Sequence, residues 1–285
     1  MSTTTPKASR PTVRIAGQSF GGGRLFLFAG PCVLETPELV QRLAGELCAI
    51  AAARGVPLVF KASFDKANRS SSKGARGPGI ERGLELLAAV KQRWKVPLVT
   101  DVHSPEQCAL AAEVVDVLQI PAFLCRQTDL LVAAAETGRA VNIKKGQFLA
   151  PWDMVNATTK CEAAGNKNLL VTERGASFGY GRLVVDMNSF AHLAKTGHPV
   201  VFDATHSVQE PGALGSSTGG DRTKVPALAR AAVATGEVDG LFFEVHPDPD
   251  NAPSDGPNMV KLEDFAAILD GVLAVHRAVR SAAVG

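Results

Sequence analysis

Short apolar runs in this chain repeatedly close on side chains that can do chemistry. Cys32, Lys61, Asp101 with His103, Gln119, Lys144 with Lys145, Arg174, His206, and Glu244 with His246 stand at or just past the ends of such runs. Cys32, His206, Glu244 and Asp255 offer a thiol, an imidazole and two carboxylates, donor types that suit zinc, iron or manganese. No Cys-x-x-Cys or His-x-x-x-His spacing accompanies them, so a fold must gather these distant residues before they make one site. His103 and His246 compete for the imidazole place, with hydrogen bonding to a neighbour as their plainer role. A second set is cationic: Lys61, Lys66, Arg69, Arg126, Lys144, Lys145 and Arg174. Converging on one mouth, they would bind a substrate with phosphate or carboxylate groups. Asn68, Arg69, Ser70 and Ser71 add amide, guanidinium and hydroxyl groups suited to cradling a phosphate. Cys48, Cys108, Cys125 and Cys161 fall in or beside helical stretches and read as small packing residues.

The elements that position these residues follow from the pattern around them. The apolar runs cover 25–30, 58–64, 97–102, 115–120, 140–146, 168–175, 199–206 and 240–246. Their hydrophobicity is nearly continuous, as in parallel strands covered on both faces. Thr36-Pro37-Glu38 and Ser104-Pro105-Glu106 each give an N-cap, a proline at the first helical position and an acid in the first turn. Gly55, Gly138, Gly197 and Gly236 stand where helices should stop, and a last helix spans about 262–280. Eight strand-helix units predict a (β/α)8 barrel; a doubly wound open sheet is the alternative. In a barrel, function gathers at the C-terminal strand ends. The first, seventh and eighth strands are then neighbours, which brings Cys32, His206 and Glu244 together, with Asp255 within reach. The cations on strands two and four to six would face that anionic sector across the mouth.

Residues 1–11 read as a disordered polar tail and 12–285 as one catalytic domain. Residues 13–20, followed by Gly21-Gly22-Gly23, are expected to form a β-hairpin with the first strand and cap the barrel bottom. The Gly/Ser-rich stretch 211–220 reads as a flexible linker or a lid. Lys and Arg total 30 against 28 Asp and Glu, so no basic field marks a partner nucleic acid or anionic membrane. One Tyr and two Trp leave little for base stacking. Five cysteines are too few for a disulfide scaffold and suit a reducing compartment. With no secretory signal in 1–10 and no run of 18 apolar residues, a cytoplasmic globular protein is expected.

The segment Phe60-Lys61-Ala62-Ser63-Phe64-Asp65-Lys66-Ala67-Asn68-Arg69-Ser70-Ser71 resembles the signature loop of the 3-deoxy-D-manno-octulosonate 8-phosphate (KDO-8-phosphate) synthases. Ala29-Gly30-Pro31-Cys32, Thr100-Asp101-Val102-His103, Asn142-Ile143-Lys144-Lys145-Gly146, Arg174-Gly175-Ala176-Ser177-Phe178-Gly179-Tyr180 and Phe202-Asp203-Ala204-Thr205-His206 are similar to that family too, as is the run from Gln119 to Leu124. The resemblance extends over about 12–278. It implies a homotetrameric TIM barrel, a transferase that condenses phosphoenolpyruvate with D-arabinose 5-phosphate and water and releases phosphate. The product would feed lipopolysaccharide synthesis.

By the same resemblance, Lys61, Lys66, Gln119, Ala122, Lys144 and Arg174 would hold phosphoenolpyruvate, and Ser63 would join the substrate contacts. Asn68, Arg69 and Ser70 would hold the pentose phosphate, with Arg126 reaching in from a neighbouring subunit. Asp101 would contact the reacting end of the sugar, and Cys32 and His206 complete the catalytic set; Lys66 would either protonate the developing alkoxide or act purely electrostatically. Cys32 matches the metal-dependent branch, where the metal-free branch has Asn, and Ser254-Asp255-Gly256 agrees. One divalent ion per subunit (zinc, iron, manganese or cobalt) would sit on Cys32, His206, Glu244 and Asp255. Two rivals remain. The aromatic-pathway synthase uses erythrose 4-phosphate, and typically has Lys-Pro-Arg-Thr where this chain has Lys66-Ala67-Asn68-Arg69. The other is a non-catalytic anion- or metal-binding barrel.

Overall fold

The computed structural model describes residues 10–68, 76–213 and 219–282. The chain begins with a hairpin, β1 (Thr12–Ile15) antiparallel to β2 (Gln18–Gly21). Ala16 and Gly17 join them at φ 48° and 78°, the pair of positive values that a two-residue hairpin turn requires. Then follow β3 (Phe26–Gly30), α1 (Pro37–Ala53), β4 (Leu58–Lys61), α2 (Ile80–Trp94), β5 (Leu98–Asp101) and α3 (Pro105–Ala112). β6 (Val117–Ile120), α4 (Thr128–Glu136), β7 (Ala140–Lys144), α5 (Met154–Ala163) and β8 (Leu169–Glu173) continue the alternation. Beyond β8, two short strands, β9 (Ala176–Ser177) and β10 (Leu183–Val184), pair before α6 (Ser189–Ala194) and β11 (Val200–Asp203). A second short pair, β12 (Gln209–Glu210) and β13 (Gly219–Gly220), precedes α7 (Val225–Ala234) and β14 (Gly240–His246). β15 (Val260–Lys261) and α8 (Leu262–Ala282) end the chain.

Strands β3 to β8, β11 and β14 pair in parallel, and β11 pairs with β14 to close the ring. Closure establishes the (β/α)8 barrel over the open sheet. The strand pleat sets its contents, because alternate residues face the axis. Phe26, Phe28, Val59, Val99, Val117, Leu170, Val201 and Phe242 fill the lower interior, and Leu27, Phe60, Leu118, Val171 and Phe243 face the helices. Gly240 is required here: a Cβ on it would lie 2.5 Å from the Phe26 ring.

The hairpin caps the bottom as expected, placing Val13, Ile15 and Phe20 against that interior layer. It does so as its own two-stranded sheet, without joining the first barrel strand. Asn168, one residue before β8, ties it down by donating to the Arg14 carbonyl and accepting from the Arg14 amide, at 2.6 and 2.7 Å. Arg10 and Pro11, at the end of the expected tail, are held in place. Arg10 pairs with Asp239 at 2.9 Å and the Pro11 carbonyl accepts from Gly22. Residues 1–9 of that tail, and 214–218 of the expected 211–220 loop, lie outside the described residues.

The four predicted stop glycines all have positive φ, between 62° and 80°. Thr36 caps α1 through its hydroxyl, whereas the Ser104 side chain makes no cap bond at α3. Several strands stop two or three residues earlier than the apolar runs suggest. Past those points the chain turns away from the ladder, so Ser63, Lys145, Arg174 and His206 begin loops rather than end strands.

Candidate active site

Toward the top of the barrel the inward positions change from apolar to polar. Lys61 on β4, Asp101 on β5, Gln119 on β6, Asn142 and Lys144 on β7, Thr172 on β8, Asp203 on β11 and Glu244 on β14 continue the inward register, and all are buried. Burying this many polar groups is costly unless they satisfy one another or a ligand. They satisfy one another only in part.

The first cluster is the donor set. Gly30 lets the chain pass so close to β4 that a Cβ there would overlap the Lys61 carbonyl at 1.9 Å, and the turn after it delivers Cys32. The single S–H of Cys32 lies between two acceptors, Ser254 Oγ at 3.0 Å and Asp255 Oδ2 at 3.2 Å from Sγ. Asp255 sits at φ 51°, an unusual conformation for a non-glycine residue. One donor atom each from Cys32, Glu244 and Asp255 lie within 4.8 Å of one another. His206, in the turn after β11, brings Nε2 to 3.3 Å from Glu244 Oε2, while its Nδ1 lies 2.7 Å from Asp203 Oδ2. That leaves Nε2 facing the cluster, the arrangement of an imidazole presented to a metal. Glu244 Oε2 is buried and has no aligned hydrogen-bond donor among the described residues. An orphaned carboxylate oxygen flanked by a thiol, a second carboxylate and an imidazole nitrogen fits a divalent cation.

Electrostatics sharpen the point. Burial, followed by the Glu244 charge, pushes the Cys32 thiol well above its ordinary range. Burial alone would also raise Glu244, but the charges of His206 and Lys61 outweigh it and hold the carboxyl well below its usual value.

The cations interleave with these groups rather than facing them across the mouth. Lys61 Nζ lies 2.6 Å from Glu244 Oε1 and donates to the Cys32 carbonyl at 3.1 Å. Lys66 Nζ lies 3.5 Å from the same Glu244 oxygen and donates to Ser63 Oγ at 3.0 Å. Ser63 in turn donates to Asp101, whose other oxygen lies 3.0 Å from His103 Nε2. Lys144 pairs with Asp203, and its ammonium sits 4.0 Å above the Phe242 ring, as Lys61 does at 5.3 Å. Arg174 donates to Gln209 through Nη2, while its Nη1 is buried with no partner among the described residues. Burial pushes Lys144 and Arg174 below their ordinary values, a cost that an incoming anion would offset.

The structure therefore brings Cys32, Lys61, Ser63, Lys66, Asp101, Lys144, Arg174, His206, Glu244 and Asp255 to one mouth. Gln119 joins from below, accepting from Asn142 Nδ2 at 3.1 Å. Ala122 is buried beside Gly146, whose added Cβ would lie 3.1 Å from the Ala122 carbonyl. Lys145 departs from the cationic set. Its parity turns it outward, where its ammonium donates to the carbonyls of Gly146, Leu149 and Gly175. Arg126 is exposed on the loop after β6, and Asn68 is exposed past β4. Arg69 and Ser70 lie outside the described residues. His246 is bound to Glu35 at 3.0 Å and His103 to Asp101, so neither takes the imidazole place. Sequence reasoning did not reach Gln209, and it quoted Asp203 and Ser254 within motifs without giving either a role. For Asp203 a signal existed: an acid three residues before a histidine, on the inward parity of its strand.

Comparison with known proteins gives the family. The DAHP synthetase I family matches residues 9–278. A 2-dehydro-3-deoxyphosphooctonate aldolase of Granulibacter bethesdensis is 58% identical over 90% of this chain and 91% of its own length. Proteins of that name from Nitrobacter winogradskyi and Trichlorobacter lovleyi are each 57% identical, covering 97% and 93% of this chain and 97% and 98% of theirs. The chain belongs to the DAHP synthetase I family, among its 2-dehydro-3-deoxyphosphooctonate aldolases.

Proposed function

We propose that this chain condenses phosphoenolpyruvate with D-arabinose 5-phosphate and water, giving 3-deoxy-D-manno-octulosonate 8-phosphate and inorganic phosphate. The observation that carries it is the mouth where Lys61, Lys66, Lys144 and Arg174 meet a Cys32–His206–Glu244–Asp255 donor set. The relatives' name specifies a phosphorylated eight-carbon acid, which matches a three-carbon unit joined to a five-carbon sugar and not to erythrose 4-phosphate.

In this reading Lys61, Lys144 and Arg174 hold the carboxylate and phosphate of phosphoenolpyruvate, with Gln119 and Ala122 shaping the bed beneath it. Asn68, Arg69 and Ser70 hold the sugar phosphate, and Asp101 and Ser63 orient the aldehyde end. The cations offset the repulsion between two anionic substrates and keep them in attack geometry. The enol carbon attacks the aldehyde, and Lys66 delivers a proton to the developing alkoxide. Water adds to the phosphate-bearing carbon, and phosphate leaves with the C–O bond. Cys32, His206, Glu244 and Asp255 would hold one zinc, iron, manganese or cobalt ion, which supplies Lewis-acid polarisation of oxygen when bound.

The chain works in the cytoplasm, for lipopolysaccharide assembly, as a homotetramer. Support for assembly comes from Phe123, Phe148, Trp152, Phe178 and Tyr180, exposed on the loops after β6, β7 and β8, the same side as Arg126. Among the described residues no helix is long and apolar enough to cross a membrane.

The test measures phosphate release from phosphoenolpyruvate with arabinose 5-phosphate and, side by side, erythrose 4-phosphate, before and after chelation. Release with the pentose alone, lost on chelation and restored by divalent metal, is expected. Full activity in demonstrably metal-free protein would sink the metal, and no release with either sugar would sink the enzyme.

A further inference from the structure

We propose that Asp203 is a positioning residue that couples metal binding to phosphoenolpyruvate binding, by sharing one carboxylate oxygen between His206 and Lys144. This rests on the functional reading above. Asp203 is fully buried at the top of β11. Its Oδ1 accepts from the His206 amide at 2.9 Å and from the Thr205 hydroxyl at 3.1 Å, which fixes the carboxylate plane. Oδ2 is then the single acceptor for two donors on different elements, His206 Nδ1 and the Lys144 ammonium. The two nitrogens lie 3.4 Å apart, and both draw on the charge of that one oxygen.

The competition gives the coupling a sign. A cation on His206 Nε2 withdraws electron density from the ring and makes Nδ1–H a stronger donor to Oδ2. The oxygen then has less charge to give Lys144, whose ammonium also rests over the Phe242 ring at 4.0 Å. The freed ammonium turns to the substrate anion, so metal tightens phosphoenolpyruvate. Linkage requires the converse: phosphoenolpyruvate, by drawing Lys144 away, tightens metal by the same factor.

Cobalt(II) reports both sides, because thiolate coordination by Cys32 gives a charge-transfer absorption band. Titrating cobalt with and without phosphoenolpyruvate, and phosphoenolpyruvate by calorimetry with and without cobalt, should give one shared factor of about fivefold or more. In Asp203→Asn that factor should fall below about twofold while each ligand still binds alone. Asp203→Glu serves where the first variant does not fold. It keeps a charge beside Lys144 but moves the carboxylate one methylene from the shared position, and it too should lose the coupling. Wild-type protein that binds both ligands without coupling overturns the proposal, as does coupling retained in a folded variant. Wild-type protein that fails to bind cobalt through a thiolate, or fails to bind phosphoenolpyruvate, overturns the functional reading instead.

Discussion

Cys32 shows how one residue can be inert or reactive according to what stands beside it. Its thiol is raised by burial and then by Glu244, so without a cation it stays protonated and bound to Ser254 and Asp255. Cys32→Ala should therefore cost metal affinity by roughly 100-fold and phosphate release with it, because a lost ligand weighs at least as much as a lost outer partner. Metal content after dialysis checks this; a variant that keeps one ion per chain at full rate removes Cys32 from the ligand set. His103 makes a different prediction. Burial would lower its pKa, but the hydrogen bond and charge of Asp101 prevail and raise it. A raised histidine stabilises the fold fully below its unfolded pKa, and that contribution disappears as pH rises through the folded one. Wild-type melting temperature should thus fall relative to His103→Gln across that alkaline-going window; parallel melting curves for the two proteins would refute the pairing. At this scale the sequence was readable where chemistry ends an apolar run, as at Lys61, Glu244 and His206. It was unreadable where the pleat decides, since Lys144 and Lys145 are identical in composition and face opposite sides.

An element's job here is to hold its upper end still. The strands do so because their lower inward positions are packed solid, with Phe20, Phe26, Phe28 and Phe242 meeting edge to face at 5.6 to 6.5 Å. The hairpin is the stopper of that column. Phe20→Ala, which leaves a hole against Phe26, should cost about 3 kcal/mol of stability and lower the melting temperature. Because the hairpin sits at the opposite end from the mouth, the KM for phosphoenolpyruvate measured well below the transition should not move. A raised KM with no stability loss would contradict that division of labour. The eight strands and their order were legible because buried parallel strands leave long apolar runs and because glycines stop the helices at positive φ. The hairpin's partner was not legible. Its glycines at 21–23 fit either a turn into β3 or a free connection, and only the packing of Val13, Ile15 and Phe20 beneath the barrel chooses.

At the scale of the whole molecule, one face of the barrel rim is unlike the rest. Phe178 and Tyr180 are 80% and 107% exposed on the β9–β10 connection, with Phe148, Trp152 and Phe123 on the neighbouring loops. Several large aromatic side chains left to water on one side exceed the scatter normal for a monomer surface and fit an interface between copies. Arg126 is exposed on that same side, so the proposed role of a neighbour's Arg126 at the sugar-phosphate site requires this face to be covered. The double variant Phe178→Ser/Tyr180→Ser removes the two most exposed rings without touching a buried group. Sedimentation velocity should show it as a smaller species than the wild-type protein at micromolar concentration. The KM for arabinose 5-phosphate should rise about tenfold, the loss of one charge-assisted contact, while phosphoenolpyruvate affinity measured by calorimetry stays put. An unchanged sedimentation coefficient would refute the interface. A smaller species with an unchanged KM would keep the interface and remove Arg126 from the neighbour's site.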